Sequence, residues 1–251
     1  MKYIVIGNWK MNPGSVGEAK KLFDKSVRIV RTLKKTDVVL AVPFIYLPLL
    51  KSSSKNLFLG AQDVFWEEKG AYTGEISSEQ LAKLGVSYVL VGHSERRALG
   101  DTDEIVNRKM RAVLHAGLTP VLCIGEHTHD AHGKYLSFLQ NQIRSAFHKV
   151  SRGNLSRILV AYEPIWAIGK SAGDAMKSGE VHETVLYIQK ILSEIYGREA
   201  TKKVRIIYGA AVEADNTTDL IRNGNVRGLL PGHASLSAET FGLILRAVDK
   251  S

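Results

Sequence analysis

Three residues in this sequence could together move a proton beside a carbonyl: a cation, Lys10; an imidazole, His93; and a carboxylate, Glu163. That chemistry needs a base to take the proton, an electrophile to polarise the oxygen, and a charge to hold the resulting oxyanion. Taken singly, each has a plainer reading. Lys10 suits a solvated rim, His93 a hydrogen-bonded structural role, and Glu163 a pairing with some nearby basic residue. Only convergence on one site selects the chemistry, so the question passes to the elements that carry them.

The chain alternates short apolar, β-rich runs with longer helical patterns. The strand candidates are 3–9, 37–43, 57–62, 88–93, 119–125, 158–164, 204–209 and 226–232. Helical periodicity marks Val16–Leu33, Glu104–His115, Lys134–Val150, Glu180–Tyr196 and Ala238–Val248 between them. Continuous apolar strands have both faces buried, as in a parallel sheet covered by helices. Eight such units, at about thirty residues each, predict an α/β fold: a closed (β/α)8 barrel over residues 1–251 as one domain. An open doubly wound sheet would want a glycine-rich phosphate turn after its first strand, and GNWKMN (7–12) is not one. In a barrel, chemistry belongs where strands end at their C-terminal side. Asn8 and Lys10 end strand 1, with Trp9 pointing the other way. His93 ends strand 4 and Glu163 ends strand 6, just before Pro164. Glycine-rich turns follow strands 7 and 8, at Tyr208-Gly209 and Pro231-Gly232-His233.

Composition fits a globular protein able to bury roughly three quarters of its unfolded surface. Of 251 residues, 34 are Lys or Arg against 25 Asp or Glu, a balance of +9. The basic residues are scattered and their densest clusters are pairs (Lys34-Lys35, Arg96-Arg97, Lys202-Lys203). This argues for a mild field that gathers small anionic substrates, and against nucleic acid as a partner. One cysteine, Cys123, permits no intrachain disulfide and fits a reducing compartment. No apolar run is long enough to span a bilayer, and MKYIVIGNWKMN lacks a signal-peptide pattern, so a cytoplasmic protein without a membrane partner is expected. His127, His129 and His132 fall in a polar loop after strand 5 and are not taken as metal ligands; SSSK (52–55) reads as a loop, and Tyr187 and Tyr196 as helix-face packing.

Six segments carry a resemblance: GNWKMN (7–12), KGAYTGEIS (69–77), VGHSERR (91–97), CIGE (123–126), AYEPIWAIG (161–169) and ASL (234–236). In order and spacing they resemble triosephosphate isomerase. The resemblance implies a TIM barrel that interconverts dihydroxyacetone phosphate and D-glyceraldehyde 3-phosphate through a cis-enediolate, in glycolysis and gluconeogenesis, with no cofactor or metal. On the matching positions, Glu163 is the base, His93 a neutral electrophile, Lys10 the fixed charge and Asn8 a donor to the same oxygen. Glu95 matches a carboxylate beside the lysine, and Gly169 a lid amide that grips phosphate. Ala211, Gly232 and His233 fall on the other phosphate-binding turns. The loop KGAYTGEIS matches one that enters a neighbouring subunit. The resemblance therefore implies a homodimer, with Thr73 at the loop tip near the partner's lysine and Glu75 and Arg96 as a cross-subunit pair.

The departures from the family pattern cluster at the phosphate grip. Where the family lid runs from Ala-Ile-Gly into Thr-Gly-Lys-Thr-Ala, this chain reads Ala167-Ile168-Gly169-Lys170-Ser171-Ala172-Gly173, two tip residues fewer. The stretch up to Val181-His182 is one residue shorter overall. Tyr-Gly-Gly-Ser-Val becomes Tyr208-Gly209-Ala210-Ala211-Val212, and Val-Gly-Gly becomes Pro231-Gly232-His233. Either lid and turns have co-adapted, with Lys170 and His233 adding charge, or the site has been remade for another small phosphate. Losing a hydrogen bond to a dianion costs about 1.5–3 kcal/mol, which slows the reaction without abolishing it. Two other classes use the same residues differently: an aldolase with Lys10 as Schiff-base nucleophile, and a non-catalytic phosphate-binding protein that keeps only the scaffold.

Overall fold

The computed structural model describes residues 2–51, 54–130, 132–170 and 175–251. Residues 52 and 53 of the SSSK loop and the lid residues Ser171, Ala172 and Gly173 lie outside the described residues. The strands are β1 (Tyr3–Asn8), β2 (Thr36–Val42), β3 (Leu57–Ala61), β4 (Val86–Val91), β5 (Thr119–Ile124), β6 (Leu159–Tyr162), β7 (Arg205–Tyr208) and β8 (Gly228–Leu229). They close into a barrel in sequence order, each pair parallel, with β8 returning to β1 through Val5 opposite Leu229. Helix α1 (Val16–Val30) follows β1, a 3-10 turn (Phe44–Leu49) follows β2, α2 (Ser78–Lys83) follows β3, α3 (Ser94–Ala98) and α4 (Asp103–His115) follow β4, and α5 (Lys134–Ala146) follows β5. They are followed by α6 (Ser178–Tyr196), α7 (Arg198–Thr201), α8 (Thr217–Asn223) and α9 (Ala238–Lys250). The fold is the (β/α)8 TIM barrel that the apolar rhythm predicts.

Period-two alternation divides each strand between two cores. Ile4 and Ile6, Val39 and Ala41, Val121 and Cys123, and Leu159 and Ala161 fill the barrel lumen. Val5, Val38, Leu40, Leu122 and Val160 face the helices. Continuing the inward set by two residues gives Asn8 above Ile6 and Glu163 above Ala161. Both are buried, at 3% and 2% exposure. Trp9, between Asn8 and Lys10, packs into the outer core as expected.

The strands stop earlier than the apolar runs suggest. Lys10 adopts φ 51° and Gly92 φ 73°, which turn the chain out of extended geometry just past β1 and β4. Pro164 has no N–H to continue the ladder beyond β6. Lys10, His93 and Glu163 therefore stand just beyond their strands, and His93 is the residue preceding α3. The strand expected at 226–232 is reduced to Gly228–Leu229. The ladder still continues through Arg227 N to the Ile206 carbonyl and Leu230 N to the Tyr208 carbonyl.

The long helices follow their stripes. In α1 the buried residues Ala19, Leu22, Phe23, Ser26 and Val30 recur at helical spacing, and the Ser15 side chain caps the start by accepting from Glu18 N. It ends at Val30, three residues before the expected Leu33. Helices α2, α3, α7 and α8 were not expected, because four to seven residues give periodicity too little length. A capping box of Ser77 and Gln80 does announce α2. None of the described helices is long and apolar enough to cross a membrane.

Beside the barrel mouth, Lys109 of α4 is buried between two carboxylates. Its Nζ donates to Asp63 Oδ1 at 2.7 Å and to both oxygens of Asp101, at 2.9 and 2.7 Å. Arg96 reaches the other oxygen of Asp63 at 2.8 Å. Removing one partner of a buried ion cluster strands the remaining charge, at about 3–5 kcal/mol. Lys109→Ala should lower unfolding stability by that amount in urea titration, and an unchanged midpoint would refute the role given to the cluster.

Candidate active site

The four polar residues at the strand ends line one cavity of about 360 Å³, with Gly169, Ala211, Gly232 and His233 around the same space. Glu163 is the centre of its electrostatics. Glycines open the room for it: a Cβ at Gly125 would overlap the Glu163 carbonyl, and one at Gly209 would press on its Cγ at 3.1 Å. Among the described residues, no N–H or O–H donor holds either carboxylate oxygen. Its polar neighbours are the buried Cys123 thiol and His93, whose Nε2 lies 3.8 Å from Oε2. Burial pushes the Glu163 carboxyl above the usual carboxylate range, against the opposing pull of His93, Cys123 and Lys10. The Cys123 thiol is also pushed well up, first by burial and then by the Glu163 charge.

Opposite the carboxylate, two donors converge. The backbone N–H of Glu95 donates to His93 Nδ1 at 3.2 Å, which leaves the ring proton on Nε2. The backbone N–H of Lys10 donates to Asn8 Oδ1 at 3.0 Å, so the Asn8 amide nitrogen faces His93 Nε2, 3.5 Å away. Two donors at that separation do not bond each other. They form a cradle for one oxygen that gains negative charge.

Lys10 stands at the edge of this cradle, its Nζ paired with Glu95 Oε1 at 2.6 Å. Gln62, just past β3, donates to the carbonyls of Lys10 and Ala41 at 2.9 and 3.0 Å and so pins the strained backbone at Lys10. On the far side of the cavity, the backbone N–H groups of Gly169, Gly232 and His233 donate to no acceptor among the described residues. Free N–H groups on neighbouring turns suit an anion. Pro231 has no N–H to offer this turn, and its carbonyl accepts from Asn8 N at 3.0 Å.

Three expected residues lie elsewhere. Thr73 and Glu75 are exposed on the loop after β3, and Arg96 is turned to Asp63. Lys170 lines the cavity, yet its Nζ sits 5.2 Å over the Trp166 ring. His129 is tied to Glu126 at 3.2 Å, and Glu126 also accepts from Tyr162 and Trp166, both at 2.9 Å. Among the described residues, no group of His, Cys, Asp and Glu could hold a metal. Sequence reading missed Glu213, whose carboxylate-bearing residue lines the cavity, because nothing in its type or spacing marks it. It also missed Gln62, although a polar residue just past a strand end was a usable signal.

The family model described as Triosephosphate isomerase matches residues 3–248. The chain belongs to the triosephosphate isomerase family. The triosephosphate isomerase of Thermoanaerobacter pseudethanolicus is 40% identical over 246 residues, covering 96% of this chain and 98% of that one. That of Caldanaerobacter subterraneus subsp. tengcongensis is 40% identical with the same coverage. The triosephosphate isomerase of Dehalococcoides mccartyi is 40% identical over 247 residues, 97% and 95% of the two chains. Family membership makes this chain an isomerase, and the cavity just described lies where a barrel of this kind keeps its chemistry.

The burial of Glu163 has a consequence for stability. With its folded-state pKa raised, its contribution is fully present below the unfolded carboxylate pKa and is lost as pH rises through the folded value. Glu163→Gln, neutral at every pH, should therefore melt higher than the wild type at pH 8, with the gap closing toward pH 4. Parallel curves across that range in thermal melts would contradict the assignment.

Proposed function

We propose that this chain interconverts dihydroxyacetone phosphate and D-glyceraldehyde 3-phosphate, with Glu163 moving the proton between the two carbons. The observation that carries the reading is the unbonded Glu163 carboxylate facing the paired donors of Asn8 and His93 across one small cavity. The carboxylate takes a proton from C1 of the ketose, and the C–H electron pair forms the C1–C2 double bond as the carbonyl pair moves onto O2. The Nε2–H of His93, the amide of Asn8 and the Lys10 ammonium stabilise that oxygen. Transfer of the proton between the two oxygens and its return from Glu163 to C2 give the aldose. Every proton and electron pair is accounted for without a cofactor. Glu95 positions the lysine. The N–H groups of Gly169, Gly232 and His233 and the turn at Ala211 hold the phosphate, and the shortened lid and rewritten turns are read as co-adapted.

Lys10 is paired with Glu95 and about a third exposed, unlike the desolvated, unpaired amine that Schiff-base chemistry needs, so the aldolase reading loses its support. The test is a coupled assay of glyceraldehyde 3-phosphate isomerisation, with Glu163→Gln purified alongside. We expect kcat to fall by several orders of magnitude in the variant, and equal activity in both would sink the mechanism. His233→Asn keeps the backbone N–H and should leave KM and kcat close to those of the wild type; a large rise in KM would move the phosphate contact to the ring.

We further propose a homodimer. Met11, Ile45 and Tyr72, on the loops after β1, β2 and β3, are 95%, 70% and 45% exposed, an apolar set that a second copy would cover. Thr73 then enters the partner near its lysine, and Glu75 joins Arg96 in addition to the Asp63 contact. Sedimentation should give twice the chain mass, and Met11→Lys should shift it toward monomer; a monomeric wild type refutes the proposal.

A further inference from the structure

A second cavity, of about 660 Å³, opens at the N-terminal end of the barrel, remote from the mouth that holds Glu163. It lies between α6, α7 and the chain entering β7 and β8. Five cations line it: Lys190, Arg198, Lys202, Arg205 and Arg227. Among the described residues no carboxylate lines it. Lys202 is paired with Glu199 at 2.6 Å and Arg198 also acts on that carboxylate, while Lys190, Arg205 and Arg227 form no ion pair among the described residues.

Four of the five are exposed and Arg205 is half-buried, and Arg205 is not treated as the chain treats its other half-buried arginines. Arg97 has Asp103 at 2.6 Å, and Arg157 donates to the carbonyls of Leu114 and Leu118. Arg205 is half-buried at the start of β7, between the buried Val204 and Ile206, and spends its guanidinium on no such partner. Like charges gathered around a concavity repel one another and focus a positive field into it. An anion carrying several charges relieves that repulsion. Arginine forks match phosphate oxygens in pairs, and three of the five cations are arginines. A concavity of this volume suits a small molecule, whereas a nucleic acid or a membrane asks for an open stripe or a flat face.

We propose that this cavity is a second anion site, taking a small oligophosphate: inorganic triphosphate or the phosphate chain of a nucleoside triphosphate. A single phosphate brings at most two charges and leaves most of the cations unmatched. Leu186, Val204 and Ile206 also line the cavity and offer an apolar surface beside the charges, on which a nucleobase can rest.

The site is independent of the triose reading, and its test keeps the two apart. Inorganic triphosphate, ATP, AMP and orthophosphate are titrated calorimetrically into the full chain, with excess glycerol 3-phosphate occupying the triose cavity. We expect one triphosphate per chain, bound about tenfold or more tighter than orthophosphate. Arg205→Gln/Arg227→Gln should weaken it by about tenfold or more. Arg205→Lys/Arg227→Lys keeps the charge and loses the fork, so its affinity should fall between the wild type and the glutamine variant, and isomerase turnover should be unchanged in both variants. ATP binding more tightly than triphosphate identifies a nucleotide site, and equal affinities identify a site for the phosphate chain alone. The proposal is overturned if triphosphate gives no heat, if its binding vanishes with glycerol 3-phosphate, or if the glutamine variant binds as the wild type does. Binding of a short nucleic-acid duplex in place of triphosphate overturns it too.

Discussion

The most demanding constraint in this protein is a carboxylate buried at the top of a closed barrel. Glu163 is 2% exposed, and no N–H or O–H donor among the described residues satisfies it. A charge in that position is expensive unless its surroundings are arranged around it. The arrangement is visible on every side. Gly125 and Gly209 give it room where a side chain would collide. The neutral, strongly protonated Cys123 thiol lies beneath it instead of an ion. His93, the Cys123 thiol and Lys10 supply the opposing attraction. A carboxylate with its own hydrogen bonds would be comfortable and a poorer base.

The rest of the site is a chain of fixed orientations, each set by the backbone. Lys10 N–H fixes which end of the Asn8 amide faces the cavity. Glu95 N–H fixes which nitrogen of His93 carries the proton. Gln62 fixes the backbone that bears Lys10. None of these contacts touches the cavity's contents, yet together they aim two donors at one point opposite the Glu163 carboxylate. Preorganised donors of this kind require no rearrangement when charge develops.

The two ends of the barrel treat charge differently. At the mouth, cations are matched: Lys10 to Glu95, Lys109 to Asp63 and Asp101, Arg97 to Asp103. At the opposite end, Lys190, Arg205 and Arg227 form no ion pair among the described residues. The +9 balance of the sequence is therefore not spread evenly. Scattered in sequence as pairs and singles, five of the 34 basic residues are gathered by the fold into one concavity, which a linear reading of clusters cannot detect.

The sequence by itself determined the barrel and its chemical residues. Eight apolar runs buried on both faces leave few alternatives to a closed parallel sheet, and residues at strand ends are legible because period-two alternation is local. The long helices were readable for the same reason, through their 3.6-residue stripes. Helices α2, α3, α7 and α8 were not, since their residues become helical through caps and packing. Only the tertiary structure decided where the strands stop, because the turns at Lys10 and Gly92 depend on left-handed backbone that apolar patterning does not encode. It alone placed Glu213 at the cavity, turned Arg96 to Asp63, stacked Lys170 on Trp166, and gathered five cations from α6, α7, β7 and the approach to β8. Each of these joins residues far apart in the chain, and such meetings are set by how elements pack, which no local pattern specifies.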